Sequence, residues 1–356
     1  MTTIAVSLDQ FYRGQPGGIG TYARGLMRGL REVNEPSLRL VGIVPTGRVP
    51  ADVAEMNIDL SRTGVGARLT TRVWGHLAVG VPRESAVVHA TSMSGPFGGG
   101  RIGARHSVTV HDLLWRDVPD ATTAAGIAFH EARLALIAKN EELSIVVTSE
   151  TLAGRLVAEG VARERLIVTT LGSDDTTVPD LDAARSSLAA EGVTGPFTLA
   201  VGTVEPRKNL ERVVAAHRDA LRDQAELGPL VVVGPTGWGQ VDTGDAIRLG
   251  PVSWPVLLGL YRLARVCVYA PLAEGWGFPP VEALRAGTAV VTSTTVPSVE
   301  SNPLVQRVDP RDVPAMSGAL VTAVASDTED ARAARTKSVA HLTWRASAET
   351  HLRGWR

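Results

Sequence analysis

Apolar residues along this chain fall into short unbroken runs that alternate with longer segments of helical periodicity. Thr3–Leu8, Leu38–Val44, Ala86–Ala90, Ser107–Val110, Leu143–Thr148 and Leu166–Leu171 read as buried strands from their β-branched content. Between them, Gly20–Val33 places Tyr22, Leu26, Met27 and Leu30 on one helical face, and Ala121–Lys139 and Glu150–Gly160 follow the same period. The polar stretch Ser173–Pro179 breaks the rhythm and is the candidate linker. The rhythm then restarts with strands Phe197–Val201, Leu230–Val233, Val266–Ala270, Ala289–Thr292 and Val305–Val308. Helices are expected at Asn209–Leu221, Leu257–Ala264 and Pro314–Ala325, with a helical tail from Arg332 carrying Trp344 and Trp355. Strands alternating with helices predict an α/β architecture of two parallel-sheet domains, with ligands at the carboxyl ends of the strands.

Composition adds mainly exclusions. The 356 residues suffice for two cores, and 44% hydrophobic with 21% charged residues describes an ordinary globular protein. A formal net charge of -1 gives no global argument for nucleic acid. No long apolar stretch suggests a membrane span and no signal peptide is visible, so a cytoplasmic location is expected. Cys267 sits in an apolar strand pattern and reads as a core thiol. The eight histidines stand at no metal-ligand spacing, so no metal site is expected.

Four stretches could carry chemistry. Ala270–Gly287 reads as a strand end, a glycine turn and a helix start, with Glu274 on the turn and Glu282 in the first turns. Such a helix start can hold an anion, and the two carboxylates could take hydroxyls of whatever carries it; helix-dipole preference alone also accounts for Glu282. Val201–Leu210 ends a strand and places Arg207 and Lys208 before a helix, where the dipole disfavours cations. Together they would match the two negative charges of a diphosphate. Val110-His111-Asp112 closes another strand, so His111 could hydrogen-bond a substrate hydroxyl, or the pair could merely cap the next segment. Gly17–Ala23 satisfies G-x-G-x-x-A from Gly18, which raises a nicotinamide-dependent oxidoreductase as an alternative. However, its glycines lie too far from the strand, and Val44 is followed by Pro45 rather than by an acid. What survives is a glycine loop whose open N–H groups meet a phosphate, or an ordinary surface loop. Trp238 also follows an apolar strand, with packing as the simpler role.

These stretches in this order resemble the retaining glycosyltransferases of glycosyltransferase family 4, over nearly the whole chain. The most specific piece is the Glu274–Glu282 spacing in EGWGFPPVEALRAG; VGTVEPRKNL, GGIGTY, VHD and HATSMSGP are similar to further family segments. The resemblance implies the GT-B fold, two Rossmann-like parallel-sheet domains facing across a cleft. Residues 1–175 would form the acceptor-binding domain, with a C-terminal helix near 343–356 packing back on it, and 176–342 the nucleotide-sugar domain.

The implied activity is metal-independent, cofactor-free, retaining transfer of a hexose, of mannose or glucose type, from a GDP- or UDP-sugar. The acceptor would be a hydroxyl of a glycan, lipid-linked or small-molecule partner, as in polysaccharide biosynthesis. By the same resemblance, Arg207 and Lys208 would hold the diphosphate as it leaves, Glu274 the donor sugar and Glu282 the ribose. Gly277 and Phe278 would offer backbone N–H groups, His111 would meet the sugar's 6-hydroxyl, and Gly18 to Gly20 the phosphates and acceptor. Both glutamates would position rather than attack. A catalytically silent GT-B scaffold is the remaining alternative.

Two segments depart from the family pattern: the short glycine-rich stretch from Trp238 to Leu257 and the stretch Ser293–Pro303. Arg62–Arg105 carries six arginines against Glu84 as its only acid. The resemblance offers weak peripheral membrane contact there, and the lack of an amphipathic helix favours a solvated loop.

Overall fold

The computed structural model describes residues 2–14, 16–98, 103–173 and 176–356. Gln15, Arg101 and residues 174 and 175 of the candidate linker lie outside the described residues. The chain divides into two compact units, one running to Gly172 and completed by Leu342–Arg356, the other spanning Ser173–His341.

The first unit is built on a seven-stranded parallel sheet of β1 (Thr2–Ser7), β2 (Leu38–Val44), β3 (Asp59–Arg62), β4 (Ser85–Ala90), β5 (Arg105–Val110), β6 (Ser144–Val147) and β7 (Leu166–Val168). Its strand order is β3-β2-β1-β4-β5-β6-β7. The second unit's six-stranded sheet contains β8 (Thr198–Val201), β9 (Leu230–Val233), β10 (Ile247–Gly250), β11 (Val266–Tyr269), β12 (Ala289–Ser293) and β13 (Gln306–Val308). They run in the order β10-β9-β8-β11-β12-β13. Each sheet therefore reverses direction once, between β1 and β4 and between β8 and β11. In doubly wound sheets that reversal opens a crevice at the carboxyl ends of the two strands, the standard place for a ligand.

The central strands are buried runs of Val, Ile, Leu and Ala, as periodicity predicts for a sheet covered on both faces. β3 (DLSR) and β10 (IRLG) were not expected. Both are edge strands, half open to solvent, so no apolar run announces them. β10 occupies the glycine-rich segment between Trp238 and Leu257.

The first helix begins at Gly17, not Gly20, so the expected glycine loop is the helix's opening turn. Pro16 already has helical torsions (φ -64°, ψ -30°), and its carbonyl accepts the Gly20 N–H at 3.1 Å. Further along, Gly25 and Gly29 let the C-terminal helix Trp344–Gly354 lie directly on this one. A Cβ at Gly25 would stand 2.0 Å from Trp344 Cε2, and one at Gly29 would stand 2.1 Å from Trp344 O.

The contact is keyed by a buried polar network. The Tyr22 hydroxyl lies 2.8 Å from His351 Nε2, 2.9 Å from His89 Nε2 and 2.7 Å from Thr109 Oγ1. His351 donates its Nδ1–H to Ser347 O, so its Nε2 accepts from Tyr22. Burial lowers the pKa of His351 to about 4 and that of His89 well below the ordinary range, which keeps both rings neutral near pH 7. Among the described residues, no helix is long and apolar enough to cross a membrane.

Candidate functional site

In the second unit, β8 delivers Gly202 and then a 3-10 turn, Pro206–Lys208, ahead of the helix Leu210–Asp223. Asn209 joins turn to helix in the left-handed region (φ 60°), which asparagine tolerates better than most residues. Its amide donates to Ala270 O at 3.0 Å and to Pro310 O at 2.7 Å, and the Leu272 N–H donates to Arg207 O at 3.0 Å. The cation turn is thereby fastened to the segment leaving β11, across the strand reversal.

Three of the expected residues meet there. Glu274 Oε2 accepts from Lys208 Nζ at 2.7 Å and from Arg207 Nη1 at 3.1 Å, and also from the Tyr269 hydroxyl. Lys208 Nζ donates to Tyr269 Oη at 2.6 Å and sits 4.8 Å from the centre of that ring. Arg207 Nη2 reaches Glu205 Oε1 at 2.7 Å. Burial alone would raise the Glu274 pKa, but Lys208, Arg207 and the hydrogen bonds from Lys208 and Tyr269 outweigh it and hold the carboxyl at about 2. Lys208 is lowered by burial and by Arg207, against the pull of Glu274. Arg207 would also be lowered by burial, and Glu274 and Glu205 raise it instead.

Arg207 and Lys208 face Glu205 and Glu274, so the four formal charges cancel. Side chains only 18% and 13% exposed would be costly to hold charged without partners. Any anion that binds there must therefore take donors over from a carboxylate. Tyr269 and Asn209 were missed by sequence reasoning. An aromatic closing β11 and an asparagine directly after the two cations were the available signals.

The anion-friendly end is present. Gly277, at φ 90°, opens the helix Phe278–Arg285, and a Cβ there would stand 2.6 Å from Val296 Cγ1. Glycine therefore fits both the backbone and the space. Ser298 secures the turn by donating from Oγ to Gly277 O at 2.6 Å. Glu282, on the same helix, accepts from the Tyr261 hydroxyl at 2.7 Å. Trp238 is 44% exposed, and Cys267 is buried with its thiol pKa pushed up by burial.

In the first unit, His111 follows β5 and lines a cavity of about 660 Å³. Its Nε2–H donates to Thr91 O at 2.8 Å and burial lowers its pKa, so the neutral ring presents Nδ1 as an acceptor. Asp112 Oδ1 accepts the Leu114 N–H at 3.1 Å, the capping contact weighed above. The Gly20 N–H is taken by Pro16, so it is not an open donor for phosphate, contrary to expectation. Gly18 lies exposed in the first helical turn.

Two doubly wound parallel sheets, each with a polar site at its strand reversal, define the GT-B class of fold. Solved structures agree. The similarity to sucrose-phosphate synthase from Thermosynechococcus elongatus has a TM-score of 0.71 at 16% identity, covering 99% of this chain and 98% of that one. Anabaena HepE in complex with UDP and glucose gives 0.69 at 15%, over 98% and 97%. Residues 195–326, inside the second unit, match the model of the family glycosyl transferases group 1.

Among curated proteins, an O-antigen chain mannosyltransferase B of Escherichia coli is 25% identical over 241 residues, 63% of this chain and 62% of that protein. A serotype-specific mannosyltransferase WbdA of Escherichia coli is 27% identical over 205 residues, 51% of this chain and 24% of that one. The matched part of this chain thus spans about three fifths of the first relative and a quarter of the second.

Proposed function

We propose that the protein is a retaining hexosyltransferase of glycosyltransferase family 4, moving a mannose-type sugar from a nucleoside diphosphate donor to a hydroxyl acceptor. The observation that carries this reading is the Arg207–Lys208–Glu274–Tyr269 cluster at the β8–β11 reversal, in the segment that matches the model of glycosyl transferases group 1. The mannosyltransferase names of the curated relatives support the sugar, and HepE, a structure with UDP and glucose, supports the donor class.

In this reading Arg207 and Lys208 transfer hydrogen bonds from carboxylates to the diphosphate as it leaves, doing without a metal what a divalent ion would otherwise do. Glu274, held ionised, accepts sugar hydroxyls through the oxygen it keeps turned away from the cations. Glu282, oriented by the hydroxyl of the buried Tyr261, offers the ribose an acceptor. Gly277 and Phe278 bring the helix start to the phosphates. Glu274 is too far below the ordinary carboxylate range, and too firmly ion-paired, to shuttle protons near pH 7, which suits a positioning role.

A thermal-shift panel of GDP, UDP, ADP and their sugars, with and without EDTA, tests this. One nucleoside diphosphate should stabilise the protein by about 2.7 kcal/mol at a hundred times its dissociation constant, and EDTA should leave the shift unchanged. No shift from any of them would refute the reading.

A further inference from the structure

The two carboxylates that face Arg207 and Lys208 are not equally able to give up their donors. Among the described residues, Arg207 is the only donor to the Glu205 carboxylate, through Nη2 to Oε1 at 2.7 Å. The Glu205 side chain is 13% exposed, so breaking that pair would strand a charge largely withdrawn from water, which is expensive. Glu274 stands differently. Its Oε2 takes three donors, Lys208 Nζ, Arg207 Nη1 and the Tyr269 hydroxyl. When both cations turn away, the Tyr269 hydroxyl still serves that oxygen, and the Gly275 N–H lies 3.4 Å from Oε1.

Glu205 and Tyr269 are themselves firmly held. Glu205 heads the 3-10 turn in an extended conformation (φ -147°, ψ 154°), and its carbonyl accepts the Lys208 N–H at 3.0 Å. The preceding Val204 is tied at both ends to the loop after β9, its N–H donating to Pro235 O at 2.9 Å and its carbonyl accepting the Gly237 N–H at 3.0 Å. Gly237 makes that approach possible, since a Cβ there would stand 3.2 Å from Glu205 Cβ and 2.5 Å from Thr203 Cγ2. Tyr269 closes β11 and is 5% exposed. Its hydroxyl accepts from Lys208 Nζ at 2.6 Å and its ring centre lies 4.8 Å from the same nitrogen, so Lys208 keeps two contacts when it leaves Glu274. We propose that Glu205 and Tyr269 are positioning residues that hold Arg207 and Lys208 in place throughout, while Glu274 yields its donors to an entering diphosphate, an assignment that takes the identity of the anion from the transferase reading above.

The sign of one effect separates anchoring from simple charge. Removing a carboxylate beside an anion site should tighten anion binding on electrostatics alone. As the anchor of Arg207, Glu205 has the opposite effect: Glu205→Ala frees Arg207 to close on Glu274 and should weaken binding about 10- to 100-fold, the range for a lost hydrogen bond to a charged group. Glu205→Gln keeps an acceptor for Nη2 without the charge and should bind at least as tightly as the wild type, a rescue that a merely structural role would not produce. Calorimetric titration of the full chain with inorganic pyrophosphate, GDP, UDP and ADP reads these affinities. Tyr269→Phe keeps the ring and removes the hydroxyl; it should weaken pyrophosphate about 10-fold and carries the test if Glu205→Ala fails to fold.

Glu205→Ala binding these anions as tightly as the wild type or more so, Glu205→Gln binding as weakly as Glu205→Ala, or Tyr269→Phe with unchanged affinity would each overturn the proposal. Pyrophosphate binding with the expected order of variants, but no binding of any nucleoside diphosphate, would instead overturn the transferase reading and leave the two anchors standing. A wild type that binds none of the four would overturn both.

Discussion

Glu274→Gln is the sharpest perturbation the second unit offers, because it removes one charge and almost no volume. In the folded protein the Glu274 carboxyl lies at about 2, against an ordinary 4.5. At about 1.4 kcal/mol per pH unit, that difference makes the ionised carboxylate worth about 3 kcal/mol to the fold. Glutamine still accepts from Tyr269 and Lys208, so the expected loss at pH 7 is about 2–3 kcal/mol. For a unit of this size that lowers the melting temperature by about 4–12 °C.

The sign of the pH dependence follows from the lowered pKa. The stabilisation is fully present above about pH 4.5 and disappears as pH falls through about 2, so wild type and variant should converge over that window. The charge balance makes a second, opposite claim. With Glu274 neutral, Arg207 and Lys208 face only Glu205, so the variant should bind nucleoside diphosphate more tightly than the wild type while transferring sugar more slowly. Thermal melts from pH 7 to pH 2, with calorimetric titration of the nucleotide, read both quantities. A variant as stable as the wild type at pH 7, with unchanged nucleotide affinity, would refute the reasoning.

Other consequences follow from the same geometry. Lys208→Ala should weaken nucleoside diphosphate binding about 10- to 100-fold by titration, the cost of one charge-assisted hydrogen bond, and should leave Glu274 held by Arg207 and Tyr269. Gly277→Ala places a methyl 2.6 Å from Val296 Cγ1 on a backbone at φ 90°, so a loss of about 1–3 kcal/mol in denaturant melts is expected, with a matching fall in nucleotide affinity. The pKa of His351, about 4 in the fold against 6.5, costs the first unit about 3 kcal/mol as pH falls from 6.5 to 4. His351→Gln should flatten that part of the stability profile.

Much of this fold was legible because buried parallel strands announce themselves as apolar runs. β8 and β11 could be placed within a residue or two, and with them the turns that bear Arg207, Lys208 and Glu274. What escaped has physical reasons. β3 and β10 are short edge strands whose polar residues face solvent. The start of the first helix was hidden because three of its first four residues are glycines, poor helix formers, and local propensity yields there to packing by Pro16 and the C-terminal helix.

At the site, charge was readable but its compensation was not. Adjacent cations in a sequence look unopposed until folding brings Glu274 to them from a segment 66 residues away. The cavity around Asp9 was invisible for a related reason. Nothing in the sequence marks Asp9 as buried, and only the fold reveals that it is 2% exposed with Arg13 3.5 Å away.

The central claim is that the Arg207–Lys208–Glu274 cluster serves sugar transfer with retained configuration. Its most direct test is to incubate the protein with GDP- and UDP-hexoses and a panel of methyl glycosides, then read the anomeric configuration of any product by NMR. The account predicts a glycoside with the donor's own anomeric configuration, formed equally well in EDTA and lost with Lys208→Ala. A product of inverted configuration, or transfer untouched by Lys208→Ala, would contradict it.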